Sequence, residues 1–245
     1  MDLASIGRYW SEDSANYGRI IADELSSFRR RAWQERFASL LPEGALDVLD
    51  FGCGPGFFSQ VLADLGHRVT GADLSEGMIR EARARLAAKQ DNPRFVQIDG
   101  TLGAFADASF DLVVSRNVTW TLQDPEAFYR QARRVLRPAG MLLVYDANWH
   151  LPLFDGSLMD RCRRREAKCL DRYGSTFDGD PIGEPFDPLE LPLSGRKRPA
   201  WDVPVLHSSG FRSVRTSENI IEALWDEKEK LLYGETPLFE IVARA

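Results

Sequence analysis

Apolar positions along the chain follow two alternating rhythms. Over residues 15–41, Ile20, Ile21, Leu25 and Phe28 mark one stripe at helical spacing. Ala32, Trp33, Phe37, Leu40 and Leu41 continue it, which predicts a helical stretch closed by Pro42 and Gly44. Val48, Leu49 and Phe51 then form a short apolar run interrupted only by Asp50, as a parallel strand covered on both faces requires. Helical spacing returns over 57–65, with Phe58, Val61, Leu62 and Leu65 apolar. Residues 67–72 read as a second strand. Ser75 can cap a helix over 76–89 whose Ile79, Ala82 and Leu86 face inward, and Asn92-Pro93 breaks it. A third strand over 94–98 and a fourth over 110–115 follow. Asp124 can cap a helix over 125–136 with Phe128, Ala132 and Val135 inside. Arg137-Pro138-Ala139-Gly140 closes that helix, and 141–145 is the fifth strand. Strands alternating with helices in this way predict a parallel sheet covered on both sides.

After Asp146 the rhythm breaks. Residues 158–173 read as a helix carrying the cationic run from Arg161 to Arg172, interspersed with acids as on a solvated face. A proline- and glycine-rich stretch over 174–199, a short helix over 200–206, and two last strands over 211–216 and 238–243 complete the chain. About sixty residues at this point exceed a simple crossover. The chain therefore divides into a helical lid over 1–44, a core over 45–146, an acceptor-side cap insertion over 147–208 and C-terminal strands over 209–245. Trp33 and Phe37 could belong to that lid or could pack a covering helix on the sheet. Tyr9, Trp10 and Tyr17 sit on a polar segment, which makes them candidates for a substrate pocket.

The first strand leads into Gly52, Gly54 and Gly56. Glycines there allow positive φ and a close approach of a ligand to the backbone. The helix that follows aims its free N–H groups and positive dipole end at whatever occupies the turn, which suits a carboxylate or phosphate. A dinucleotide fingerprint needs a third glycine at position 57, which is Phe57, so a nicotinamide oxidoreductase is disfavoured. Asp73 ends the second strand 21 residues after Gly52, where doubly wound sheets hold a ribose diol.

LDFGCGPG over 49–56, GADLSEGM over 71–78, VQIDGT over 96–101 and SFDLVVSRN over 109–117 occur in that order. Together they resemble the class I S-adenosylmethionine-dependent methyltransferase family, over about residues 46–147. The resemblance implies a Rossmann-like, doubly wound α/β fold: a mostly parallel seven-stranded sheet with an antiparallel last strand. It implies S-adenosyl-L-methionine as cofactor, with Gly52, Gly54 and Gly56 against its methionine part and Asp73 on both ribose hydroxyls. It places Leu74 and Met78 near the adenine, Asp99 on the exocyclic amine with Gly100 and Thr101 alongside, and Asn117 beside the sulfonium. The implied reaction is in-line transfer of a methyl group to a small-molecule acceptor.

A weakly acidic nucleophile can also need a base. The candidates are Asp146 and His150, just past the fifth strand, and Asn117 with Trp120 nearby; Asp146 could equally satisfy loop N–H groups and His150 could be a packed or exposed neighbour of Trp149. Trp120 or Trp149 could wall an acceptor pocket or simply pack the core. A net charge of −6 and a pI near 5.2 argue against a general nucleic-acid surface. Macromolecular methylation would require a local basic groove, and a non-catalytic, cofactor-binding regulator is the alternative from another class. Cys53, Cys162 and Cys169 form no C-x-x-C pair, and three scattered histidines show no metal-site spacing, so free thiols and no metal are expected. Apolar runs stay short of 18 residues and the first residues lack a basic-plus-apolar leader pattern, which places the chain in the cytoplasm without a membrane partner.

Overall fold

The computed structural model describes residues 3–87, 93–176 and 187–245. The expected helix end at Lys89, the break at Asn92 and residues 177–186 of the proline- and glycine-rich stretch lie outside the described residues. In chain order the elements are α1 (Leu3–Glu12), α2 (Ser14–Ser26), α3 (Phe28–Leu40), β1 (Asp47–Phe51), α4 (Phe57–Asp64), β2 (Arg68–Asp73), α5 (Glu76–Leu86), β3 (Arg94–Gln97) and β4 (Phe110–Arg116). They continue with α6 (Pro125–Val135), β5 (Leu136–Asp146), α7 (Gly156–Tyr173), α8 (Asp202–Ser208), β6 (Ser213–Ser217), α9 (Glu227–Tyr233) and β7 (Phe239–Arg244).

One seven-stranded sheet has the order β3-β2-β1-β4-β5-β7-β6. Pairs from β3 to β5 are parallel, and β7 runs antiparallel to both β5 and β6. The expected doubly wound, mostly parallel sheet is thus present. Its strand order reverses at β1, and the crevice beside that reversal, at the strands' C-terminal ends, is where such sheets take ligands.

Successive strand residues feed two cores. Leu49, Phe51, Val113, Leu142 and Val144 face one layer, where Phe128 and Tyr129 of α6 cover them. Val48, Leu112, Val114, Leu143 and Tyr145 face the other, under Trp33, Phe37, Phe57 and Phe58. Trp33 and Phe37 are 2% and 0% exposed, and Trp33 meets Phe58 and Tyr145 edge-on with ring centroids 4.7 Å apart. Of the two readings open for them, packing of α3 on the sheet is the one observed. Burying each such ring contributes about 1.5–3 kcal/mol.

Four local readings are corrected. The single helix expected over 15–41 is split, because Ser27 is extended and its side chain caps α3 by accepting from Arg29 N–H. The first residues, assigned to the helical lid without a helix of their own, form α1. Arg137–Gly140 does not lie outside the strand. Pairing jumps from Phe110↔Leu136 to Leu112↔Met141, so these residues are accommodated within β5 as a bulge; Pro138, which has no N–H to donate, is tolerated there. Finally, α9 was not expected, although Asp226 and Glu229 form a capping box at its start.

Candidate active site

The turn after β1 is held by backbone. Gly52, Gly54 and Gly56 all take positive φ, at 68°, 50° and 92°. A Cβ on Gly52 would stand 2.4 Å from Val118 Cγ2, so the position accepts only hydrogen. The N–H groups of Gly52 and Cys53 both donate to the Ala72 carbonyl, at 2.8 and 3.0 Å, clamping the turn to β2. Asp73 closes the clamp. Its Oδ2 accepts from Gly54 N–H at 2.9 Å and its Oδ1 from Ser75 N–H at 2.8 Å. A carboxylate has about four lone-pair sites, so capacity for a diol remains. Burial raises the Asp73 pKa, against the two N–H donors that favour its charged form.

These groups face a cavity lined by Gly52, Gly54, Asp73, Leu74, Met78, Gly100 and Asn117. Seven of the ten expected cofactor residues therefore share one cavity. Gly56 stands behind the turn, where its Cβ would meet Phe95, Ala82 and Leu86. Asp99 and Thr101 are exposed and do not line the cavity, while Gly100 between them does. Asp99 Oδ1 accepts from the Thr101 N–H and hydroxyl, at 2.9 and 2.6 Å, and the Thr101 bonds lower the Asp99 pKa.

Leu3, Ile6 and Trp10 from α1, and Tyr17 from α2, cover the same cavity. Trp10 and Tyr17, candidates for a substrate pocket or for a lid over the cofactor, thus stand on the walls of the glycine-turn cavity. Tyr9 does not line it and packs edge-on to Trp10, with centroids 5.1 Å apart. Contact between Ser11 Oγ and Ser75 Oγ at 2.9 Å seats α1 on the start of α5. Gly77 has no room for a Cβ against Ser11, whose carbonyl oxygen would lie 2.7 Å away.

Two groups in the crevice escaped the reading of the sequence. Arg116, the cation that ends the apolar β4, lines the cavity, donates to Glu24 at 2.7 Å and lies over the Phe57 ring at 4.2 Å. A charge terminating an otherwise apolar strand was the available signal. Asp50 sits 2% exposed under the turn, accepting from the Ser59 hydroxyl at 2.7 Å. Burial pushes its pKa up to about 7.

Of the two readings of Asp146, a base or an acceptor for loop N–H groups, its bonds are those of the second. Its Oδ2 accepts from Thr119 Oγ1 at 2.6 Å, Trp120 N–H at 3.1 Å and Arg198 Nη1 at 3.2 Å. Its Oδ1 accepts from Ala147 N–H at 2.9 Å and Trp149 Nε1 at 3.2 Å. The side chain is fully buried and forms no part of the cavity wall. Arg198, also buried, binds Asp202 at 2.9 Å, and Tyr129 OH donates to Asp202 as well. His150 and Trp120 pack together, centroids 5.0 Å apart, beside a small separate cavity reaching Ser194 and Arg198. Trp149 lines a third cavity, with Trp225 and Tyr233, that touches the first at Arg116 and Asn117. Asn117 takes the left-handed conformation, φ 56°, donates its N–H to the Tyr145 carbonyl at 2.9 Å, and accepts from Trp120 Nε1 at 3.0 Å.

Among the described residues no group of three or more His, Cys, Asp or Glu could hold a metal ion, and no helix is long and apolar enough to cross a membrane.

A family model described as a methyltransferase domain matches residues 49–144. An uncharacterized methyltransferase of Mycobacterium sp. (strain JLS) is 33% identical over 172 residues, covering 70% of this chain and 66% of its own length. A malonyl-[acyl-carrier protein] O-methyltransferase of Erwinia pyrifoliae is 38% identical over 135 residues, 53% of this chain and 49% of the relative. The chain thus spans about two thirds of the first relative's length and about half of the second's. The solved S-adenosylmethionine-dependent methyltransferase of Thermotoga maritima superposes with a TM-score of 0.61, covering 97% of this chain and 98% of that one. At 17% identity this is a likeness of fold.

Proposed function

The chain belongs to the class I S-adenosylmethionine-dependent methyltransferase family, and from that premise we propose that it binds S-adenosylmethionine in the crevice at the ends of β1, β2 and β4 and transfers its methyl group to a small-molecule acceptor. The observation that carries this reading is the Asp73 carboxylate, tied to Gly54 and Ser75 N–H while lining the cavity with lone pairs to spare. In this reading Asp73 accepts from the two ribose hydroxyls. Leu74 and Met78 flank the adenine, and Gly52 and Gly54 let the backbone approach the methionine part. Tyr17 and the free N–H groups at the start of α4 face the place of the methionine carboxylate. α1 and α2 act as the lid, with Leu3, Ile6 and Trp10 excluding water above the cavity.

S-adenosylmethionine supplies an already electrophilic methyl group, so in-line displacement needs alignment above all. Holding a nucleophile in line can contribute about 7–11 kcal/mol. Asn117, which lines both neighbouring cavities, stands where alignment would be set. Asp146, saturated by five donors, positions Thr119, Trp120 and Trp149 rather than taking a proton. The insertion over 147–208 supplies Arg198, whose bond to Asp146 ties it to the end of β5.

Calorimetric titration with S-adenosylmethionine and S-adenosylhomocysteine tests binding, and labelled-methyl transfer into a metabolite extract tests turnover. Saturable product is the expected result. Binding without any labelled product would favour the regulatory alternative.

A further inference from the structure

The third cavity, beside Trp149, has the walls of an acceptor site, and its chemistry narrows the acceptor. Trp149 follows β5, Trp225 precedes α9 and Tyr233 ends it, so three aromatic rings converge from segments distant in sequence. The Trp149 and Trp225 rings lie 6.5 Å apart and are inclined by only 29°. Tyr233 stands edge-on to Trp149 at 5.5 Å and at 65° to Trp225 at 6.0 Å. The bond from Trp149 Nε1 to Asp146 fixes the orientation of that indole. Walls of this kind favour a planar ring.

Two polar atoms of the lining residues are buried and have no hydrogen-bond partner among the described residues: Asn117 Oδ1, an acceptor, and Arg29 Nε, a donor. Orphaned groups of this kind are a standing cost that a ligand can relieve. They also set a direction. Asn117 borders both cavities, whereas Arg29 borders only the aromatic one. The ligand's donor therefore belongs at the shared boundary, and its acceptor atom away from it, on the Arg29 side of the aromatic cavity.

The lining charges are already matched. Arg116 pairs with Glu24 at 2.7 Å, and Arg29 pairs with Asp226 at 2.6 Å and with Glu229. Neither guanidinium is left over for a carboxylate ligand, and neither lining carboxylate is left over for an ammonium.

We propose that this cavity takes a neutral phenol bearing a second, uncharged oxygen acceptor. Its single O–H donates to Asn117 Oδ1 and its other oxygen accepts from Arg29 Nε, with the ring against Trp149, Trp225 and Tyr233. A phenol has one O–H for one orphaned acceptor, where a primary arylamine would bring two N–H groups. In the transfer the aryl oxygen forms the new O–CH3 bond as the S–CH3 bond breaks. The electron pair of the broken bond stays on sulfur, giving S-adenosylhomocysteine, and the phenolic proton is released to solvent. The inference rests on the methyl-transfer reading above.

The test titrates the full chain first with S-adenosylhomocysteine and then, as that complex, with methyl 4-hydroxybenzoate, 4-hydroxybenzoate, tyramine and methyl 4-aminobenzoate. The neutral phenol is expected to bind about tenfold or more tighter than each of the other three. Trp225→Ala and Tyr233→Ala should each weaken it by about tenfold or more while leaving S-adenosylhomocysteine affinity within about twofold. Trp225→Phe should restore most of the loss. Retained S-adenosylhomocysteine binding shows that the variants are folded. If that ligand binds but the anion, the ammonium or the arylamine binds best, or no phenol binds, the inference is overturned while the cofactor reading stands. If S-adenosylhomocysteine itself does not bind, the cofactor reading fails, and this inference with it.

Discussion

The ends of β2 and β5 each carry an aspartate at the C-terminal edge of the same sheet, half-buried in one case and fully buried in the other, and the two are used in opposite ways. Asp73 is held by two backbone N–H groups, both within twenty residues of it, and it opens on a cavity. Asp146 is held by five donors, among them Arg198 from 52 residues away, and it opens on nothing. Burial raises the pKa of both. Residue type and strand position are therefore not enough to identify a binding carboxylate. What counts is how much of its acceptor capacity the protein has already taken. Two amide donors orient a carboxylate and leave it hungry for more. A guanidinium, a hydroxyl, an indole and two amides satisfy it, and turn it into an anchor.

The largest expected effect breaks the β5 side. Arg198→Leu leaves Asp146 and Asp202 buried without their cation, which should destabilise the fold by about 3–5 kcal/mol in urea denaturation. An unchanged midpoint would mean that the network carries little of the insertion's attachment.

Next comes pH, through the third acid of the crevice. Asp50, with one hydroxyl donor, has a folded pKa of about 7 against 3.8 as its ordinary value. A raised acid binds more protons folded than unfolded, so its contribution to stability is fully present below about pH 4 and declines as pH rises towards 7. The loss is at most about 4 kcal/mol at 1.36 kcal/mol per unit. Relative to the wild type, Asp50→Asn should flatten the fall in unfolding free energy between pH 4 and 7. Parallel profiles for the two proteins would sink the assignment.

On the β2 side, Asp73→Ala removes charge-assisted bonds worth about 1.5–3 kcal/mol, a loss of roughly 10- to 150-fold in S-adenosylhomocysteine affinity by calorimetry. Untouched binding would mean that the ribose lies elsewhere. The smallest effect sharpens the contrast. Thr119→Val deletes one of the five donors to Asp146 and should cost about 1 kcal/mol of stability, with S-adenosylhomocysteine affinity unchanged. A large loss of cofactor affinity from Thr119→Val would erase the distinction between the two ends of the sheet.

Much of the cofactor side was legible because it is built locally. Gly52, Gly54 and Asp73 act through main-chain geometry and through neighbours a strand and a turn away, and that geometry leaves its mark on residue type and spacing. The apolar run Val48, Leu49 and Phe51 likewise announced a strand covered on both faces, although only the packing showed that Val48 and Leu49 feed different cores. The aromatic cavity was not legible in that way. Trp225 and Tyr233 look like ordinary residues of an acidic tail, and only the packing of α9 and the turn after β5 brings them to Trp149. The capping box at Asp226 could have revealed the helix but not its neighbour. Arg198 lies in a stretch whose proline and glycine content points to loop, and nothing local marks its guanidinium as the buried partner of two acids.

The sequence by itself determined the alternation of strands and helices, the parallel sheet covered on both sides and the position of the glycine turn, because hydrophobic period and backbone conformation are properties of adjacent residues. Only the tertiary structure decided which acid stays open, which is sealed, and which three aromatic rings share a wall. Those outcomes depend on donors and surfaces contributed from dozens of residues away, and no local pattern encodes where such partners will land.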